Sequence, residues 1–183
     1  KTVRSLGGED NAFTSRDYTA YYQSIAAEHL PQIMAMEAGR MRGLNPPENE
    51  LLSERAVILE ERRQRIDNAP PARLSEQMRA SVFINHPYGT PVIGWLHEME
   101  ALTHDNVVSF YKKWYTPNNA LLVVSGDITA EQLKPLAKKI YGSIPAQDFP
   151  ARNWTGVPPL LANLRLVLHH PSIRQPRMQR LYR

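Results

Sequence analysis

Cysteine is absent from the 183 residues of this chain. Its absence excludes disulfide bonds, thiolate metal sites and a cysteine nucleophile. Long apolar runs are absent as well, and no stretch approaches the ~18 residues that a membrane-spanning helix needs. Hydrophobic residues make up 42% and charged residues 22% of the chain, an ordinary globular composition. The sequence therefore predicts a folded domain with its own core and no membrane span.

The chain also lacks a strong excess of charge of one sign, since its formal net charge is only +4. Arginines concentrate between residues 55 and 65, which raises the alternative of a basic RNA-binding domain. Such domains interleave basic residues with aromatic residues on which bases stack, and no aromatic residue lies among these arginines. We therefore expect no nucleic-acid partner.

The sequence also lacks a complete catalytic motif. None of the six histidines forms an H-x-x-x-H or H-E-x-x-H pair. No G-x-S-x-G, Walker loop or dinucleotide-binding fingerprint occurs. Read from its residues alone, the chain contains no complete active site.

Hydrophobic periodicity and turn residues predict a mixture of helices and short strands. The fold class that follows is α+β, with a mostly antiparallel sheet packed against several helices. The predicted helices cover about residues 28–42, 48–66 and 72–83, and two more begin after the capping residues Thr103 and Thr129. The predicted strands are 11–15, its partner 18–25, a continuous apolar run at 120–125 that suits a strand covered on both faces, and a last strand at 164–168.

Residues 53–70 read SERAVILEERRQRIDNAP and predict one long charged helix. Glu54 and Glu61 lie seven positions apart, or about two turns, so both carboxylates emerge on one face. This face has two interpretations. One is part of a metal site, and the other is a solvated surface on which the glutamates pair locally with Arg55, Arg62, Arg63 and Arg65.

Five segments in order and spacing resemble one family. They are LGGEDNAFTSRDYTAYYQ, SERAVILEE, HPYGTPVIG, FYKKWYTPNNALLVVSGD and YGSIP. Together they resemble the pitrilysin/insulinase (M16) family of zinc metallopeptidases, and in particular the bacterial members similar to the mitochondrial processing peptidase. The resemblance covers about residues 6–175 and implies a hydrolase, a zinc-dependent metalloendopeptidase that cleaves extended peptides.

The resemblance also implies roles for individual residues. The family pattern E-R-x-V-I-x-x-E matches residues 54–61. This match makes Glu61 a zinc ligand and Glu54 a carboxylate that orients a ligating histidine. The substrate-binding edge strand of the family, to which a peptide adds as an extra strand, corresponds to Asn11, Ala12, Phe13 and Thr14.

The chain departs from the family because it contains no H-x-x-E-H, the motif that supplies two histidine ligands and the general base. The family spacing places this motif upstream of Lys1. We therefore expect a fragment, a single incomplete domain over 1–183. In it, about 1–90 continue the metal-binding half and about 91–183 begin the next family segment. No catalytic residue is expected in this chain, and zinc is expected in the parent protein but not on the fragment.

The expected partners are a peptide or unfolded polypeptide substrate and a second homologous half or subunit that completes the active site. The compartment stays open, with the bacterial periplasm favoured over the cytoplasm. The alternative function is that of a non-catalytic paralogue acting as a structural or partner subunit. Retention of Glu54, Glu61 and the NAFTS segment argues against this alternative.

Overall fold

The computed structural model describes residues 2–153 and 155–182. Within them the chain is α+β, as predicted, with seven α-helices and one two-stranded antiparallel sheet. The elements are α1 (Thr2–Ser5), β1 (Glu9–Thr14), β2 (Thr19–Ser24), α2 (Leu30–Gly43), α3 (Glu48–Arg62), α4 (Pro70–Val82), α5 (Leu96–Glu100), α6 (His104–Trp114) and α7 (Ala130–Tyr141). No helix in these residues has the length and apolar content needed to cross a membrane. The chain divides into two compact units, Lys1–Pro46 with Thr103–Ala151 and Pro47–Leu102 with Arg152–Arg183.

The β1–β2 hairpin of the first unit begins directly after Gly7 and Gly8. Gly7 adopts φ +74°, a left-handed conformation that favours glycine. A Cβ on Gly8 would lie 2.6 Å from the carbonyl oxygen of Ser24, so the chain can pass the end of β2 only with glycine here. The hairpin predicted at 11–15 and 18–25 is confirmed within a residue or two at each end.

The helices of the first unit are α1, α2, α6 and α7. Thr103 caps α6 as predicted and forms a capping box with Asn106. Thr129 and Gln132 form the capping box that their spacing predicts at the start of α7. The buried apolar residues of this unit are Val3, Ile33, Met34, Ala38, Tyr111 and Ile144.

The second unit contains α3, α4 and α5. Pro47 precedes α3, and the acidic residues Glu48 and Glu50 occupy its first turn, where they complement the helix dipole. The predicted helix 48–66 is α-helical only to Arg62 and continues as a π-helical turn over Arg63–Asp67. Prolines then occupy the first turn of α4, where their missing N–H costs no hydrogen bond.

The prediction of strands at 120–125 and 164–168 was wrong, because neither segment is a strand in the described structure. Leu121 and Val123 lie on one face of the first run and are 88% and 76% exposed, so that run is not covered on both faces. An extended segment becomes a strand only when a neighbour pairs with its backbone. Within the described residues β1 and β2 pair only with each other, so the sheet is much smaller than expected.

Candidate metal ligand and peptide-binding strand

The carboxylate of Glu61 lies one residue before the C-terminal end of α3 and is partly exposed. Its Oε1 lies 2.7 Å from Nη1 of Arg65, one turn further along, and 74% of the Arg65 side chain is exposed. An exposed pair of this kind contributes little, about 0.3–0.5 kcal/mol. Glu61 is therefore held only loosely by its neighbour and is accessible to a stronger partner.

Glu54 and Glu60, two further glutamates of α3, differ from each other. Glu54 is exposed, and its carboxylate has no hydrogen bond or ion pair within the part of the chain that the structure describes. Glu60 pairs with Arg63 and accepts a 3.0 Å hydrogen bond from Gln64. The local pairing that the solvated-surface interpretation expects is thus present at Glu60 and absent at exposed Glu54.

Arg55 and Arg62 contradict that surface interpretation, because neither pairs with a glutamate of α3. Arg62 is only 4% exposed and binds Glu76 of α4 through two hydrogen bonds of 2.9 Å each. Arg55 donates a 2.8 Å hydrogen bond to the carbonyl oxygen of Leu102. Both guanidinium groups therefore turn away from the face that carries Glu54 and Glu61.

The sequence reasoning missed the burial of Arg62 and the role of Glu76. A signal for the first was present in the helical period. Buried Leu51 lies on one face of α3. Arg55, Ile58 and Arg62 follow on the same face at steps of about one turn each. An arginine on that line points into the unit and needs an acidic partner there. Nothing local in the sequence marks Glu76, 14 residues later, as that partner.

Carboxylate oxygens are ordinary zinc ligands, so Glu61 suits the donor chemistry of such a site. A zinc site needs three or more protein ligands, and the described residues contain no group of three His, Asp or Glu side chains that could hold a metal ion. His86 and His104 are occupied locally: His86 Nδ1 accepts a 3.1 Å bond from the N–H of Tyr88, and His104 Nε2 lies 2.9 Å from the carbonyl oxygen of Pro46. The residues present thus fit zinc as one part of a ligand set.

Strand β1 carries the four residues predicted to bind substrate, and all six of its residues are exposed. One edge pairs with β2, and no strand in the described residues pairs with the other. Ser15 donates a 2.8 Å bond to the carbonyl oxygen of Tyr18 beyond the end of the ladder. Because hydrogen-bonded and non-bonded pairs alternate in an antiparallel ladder, the backbone groups of Asp10, Ala12 and Thr14 point toward the open edge.

Asn11 covers part of that open edge. Its side-chain oxygen Oδ1 accepts a 2.8 Å hydrogen bond from the backbone N–H of Ala12. This contact satisfies an amide that the ladder leaves unpaired. A peptide strand that adds to β1 would take the same N–H.

The two faces of the hairpin differ in chemistry. Phe13 lies on the first face and packs edge-on against Tyr18, with ring centroids 5.6 Å apart. Ala12 and Tyr21 lie on the second face, beside a cavity of about 420 Å³. The polar groups that line this cavity are Asp10, Asn11, Gln23, Glu37 and Arg40.

A hydrogen-bonded network ties β2 to α2 and α6. Gln23 donates a 2.8 Å bond to Glu37, which also pairs with Arg40. The guanidinium carbon of Arg40 lies 3.6 Å from the centroid of the Tyr21 ring, a cation–π contact. Tyr111 of α6 donates a 2.6 Å bond to the backbone carbonyl of Arg40. These contacts hold β2 against α2 and α6, and none of them involves the outer edge of β1.

Sequence comparison places these features among known proteins. Residues 1–95 match the family described as insulinase (peptidase family M16), and residues 101–181 match the peptidase M16 inactive domain. The zinc protease PqqE of Helicobacter pylori is 34% identical over 148 residues, which are 81% of this chain and 33% of that protein. An uncharacterized zinc protease of Mycobacterium leprae is 30% identical over 159 residues, 85% of this chain and 36% of that protein. The chain thus spans about a third of the length of these relatives.

Solved structures agree with the sequence comparison. A protease from Helicobacter pylori aligns with a TM-score of 0.76 and 33% identity, covering 82% of this chain and 36% of that one. The first half of the periplasmic protease PqqL from Escherichia coli aligns with a TM-score of 0.73 and 28% identity, covering 84% of this chain and 34% of that one. Both comparisons agree with the family resemblance that the order of the five sequence segments indicates. The chain therefore belongs to the insulinase family, peptidase family M16.

Proposed function

We propose that this chain is part of a zinc-dependent metalloendopeptidase, in which Glu61 is a zinc ligand and Glu54 orients a histidine ligand. The observation that carries the proposal is the separation of charges around α3. Arg55 and Arg62 turn to partners elsewhere in the second unit, so that Glu54 lacks any partner in the described residues and Glu61 keeps only an exposed one. Zinc, when bound, supplies a Lewis acid that polarises the scissile carbonyl.

The substrate in this proposal is an extended peptide that adds to the open edge of β1. Asn11, Ala12, Phe13 and Thr14 would contact it. The outward N–H and C=O groups of Ala12 and Thr14 provide main-chain hydrogen bonds, which give affinity without regard to sequence. Side chains of alternate residues in the peptide would then lie on the two unlike faces of the hairpin.

The remaining parts of the site come, in this proposal, from outside the 183 residues. These parts are two histidine ligands, a general base and a second homologous half. The likeness to the first half of PqqL supports the proposal of a second homologous half, because this chain covers only 18% of the whole PqqL chain. PqqL is a periplasmic protease, which supports the periplasm as the compartment in this proposal. We expect the chain alone to cleave no peptide and to hold no stoichiometric zinc.

A non-catalytic partner subunit is the competing proposal, and the ion pair between Glu61 and Arg65 favours it, because a neutralised glutamate needs no metal. One experiment separates the two. In the complete polypeptide that carries this chain, Glu61→Gln should lower both zinc content after dialysis and peptide cleavage. Zinc content and cleavage that stay at the level of the unsubstituted protein would overturn the assignment of Glu61.

A further inference from the structure

Helix α3 contains the same dipeptide twice, Glu54-Arg55 and Glu61-Arg62, separated by seven residues. Seven residues make about two turns and a rise of about 10.5 Å, so the two copies repeat on the same faces of the helix. Adjacent residues differ by about 100° around the axis. Each arginine therefore points about a quarter-turn away from the glutamate before it.

Arg62 is anchored on three sides inside the second unit. Nη1 and Nη2 bind the two carboxylate oxygens of Glu76 at 2.9 Å each, and Nη1 also donates a 2.7 Å bond to the carbonyl oxygen of Gly94. Asp67 lies 3.5 Å from Nη2. The hydrogen bond to Glu76 raises the pKa of Arg62 although burial opposes the charge. The paired fork fixes the direction of the guanidinium as well as its charge.

Gly94 is shaped to receive this arginine. It adopts φ +87°, a conformation that side-chain-bearing residues rarely adopt, and this backbone turn points its carbonyl oxygen at Arg62. A Cβ at this position would lie 2.8 Å from the sulfur of Met99. The acceptor for Arg62 thus depends on a glycine at residue 94.

Arg55 provides the second anchor two turns earlier. Its Nη1 donates hydrogen bonds of 2.8 Å to the carbonyl oxygen of Leu102 and 3.2 Å to that of Glu100. These carbonyls lie at the C-terminal end of α5, where backbone acceptors lack helical partners. Two anchors about 10.5 Å apart along one helix resist both its rotation and its sliding.

We propose that Arg55 and Arg62 are positioning residues that fix the rotation of α3, so that Glu54 and Glu61 stay on its outer face as metal-site carboxylates. This inference rests on the proposed function. A rotation of 20° moves an atom ~6 Å from the helix axis by about 2 Å. Metal–ligand distances tolerate only about 0.2 Å. Small errors in the rotation of α3 are therefore enough to remove Glu61 from a zinc site.

The test uses the complete polypeptide and measures zinc affinity by competition with a chromogenic chelator. Arg62→Lys keeps the charge but loses the two-pronged contact with Glu76, and should weaken zinc binding roughly 10–100-fold. Gly94→Ala should weaken it through the displaced acceptor. Arg63→Lys is the matched control, because Arg63 is exposed and contacts Glu60 on the same helix. The circular dichroism of the zinc-free variants reports whether α3 and the fold persist.

A double substitution separates positioning from general stabilisation. If Arg62 acts largely through the position of Glu61, Arg62→Lys should cost less zinc affinity once Glu61→Gln is present than it costs in the unsubstituted protein. Additive losses, or unchanged zinc affinity in both Arg62→Lys and Gly94→Ala while Glu61→Gln lowers it, would overturn the inference alone. Unchanged affinity in Glu61→Gln would overturn the proposed function and the inference together.

Discussion

The hydroxyl oxygens of Tyr21 and Tyr115 lie 2.6 Å apart, and this hydrogen bond joins β2 to the residue that follows α6. The two rings are 6.4 Å apart between centroids. Burial raises the pKa of Tyr115 far above its ordinary value, and the hydrogen bond to Tyr21 raises it further. The β1–β2 hairpin is thus hydrogen-bonded to Tyr115, whose hydroxyl resists ionisation.

Alkaline pH should therefore destabilise the first unit. A tyrosine in the unfolded chain ionises near pH 10, whereas folded Tyr115 stays neutral above that pH. The raised pKa contributes stability that is fully present below about pH 10 and is lost as the pH rises. Urea midpoints at pH 8 and pH 11 should show this loss, and Tyr115→Phe should reduce it. Tyr182→Phe is the control because Tyr182 is 79% exposed. An equal alkaline loss in Tyr115→Phe would contradict the prediction.

Neutralising Glu54 and Glu60 of α3 should rank these two residues behind Glu61 in their effect on zinc binding. In the complete polypeptide, Glu54→Gln should leave zinc bound but weaken affinity or activity roughly 10–100-fold, because a ligating histidine loses its negatively charged carboxylate partner. Glu60→Gln should be near neutral, since Glu60 faces Arg63 and Gln64. Zinc titration and cleavage of a fluorogenic peptide measure both. Surface salt bridges alone would make all three glutamate substitutions equivalent, at a few tenths of a kcal/mol each.

Removing one outward N–H from β1 should weaken peptide binding without unfolding the hairpin. Ala12→Pro eliminates an amide that points away from β2, so the ladder with β2 keeps its hydrogen bonds. Thr19→Pro is the matched control, because Thr19 occupies the equivalent outward position on β2. Cleavage of an extended peptide in the complete polypeptide should fall only in Ala12→Pro. Equal activity in the two variants would exclude strand addition at β1.

The exposed run at 120–125 should tolerate charge in the 183-residue chain. Leu121→Lys should change the free energy of unfolding by no more than about 0.5 kcal/mol, because the side chain is 88% exposed. Val82→Lys is the contrast, since Val82 is 6% exposed and a buried unpaired charge should cost at least about 2 kcal/mol. Thermal denaturation measures both. A large loss in Leu121→Lys would restore the covered strand that the sequence predicted.

Local chemistry in the sequence was sufficient for much of the fold. The Gly7-Gly8 turn and the alternation after it predict the hairpin, because turn conformation and strand register depend on neighbours in the chain. Thr103 and Thr129 predict the starts of α6 and α7, because each caps amides two or three residues away. The spacing of Glu54 and Glu61 places both on one face of α3 for the same reason.

Tertiary structure decided what local chemistry leaves open. Arg62 and Arg63 are adjacent and chemically identical, yet Arg62 is buried against Glu76 and Arg63 is exposed beside Glu60. The difference arises from the rotation of α3 against α4. Glu76, the partner of Arg62, lies 14 residues further along the chain. The run at 120–125 has strand composition but is no strand here, because a strand exists only where another segment pairs with its backbone. Residue type and helical spacing determined which groups are available, and packing against distant residues determined which of them are buried, paired or left open to a ligand.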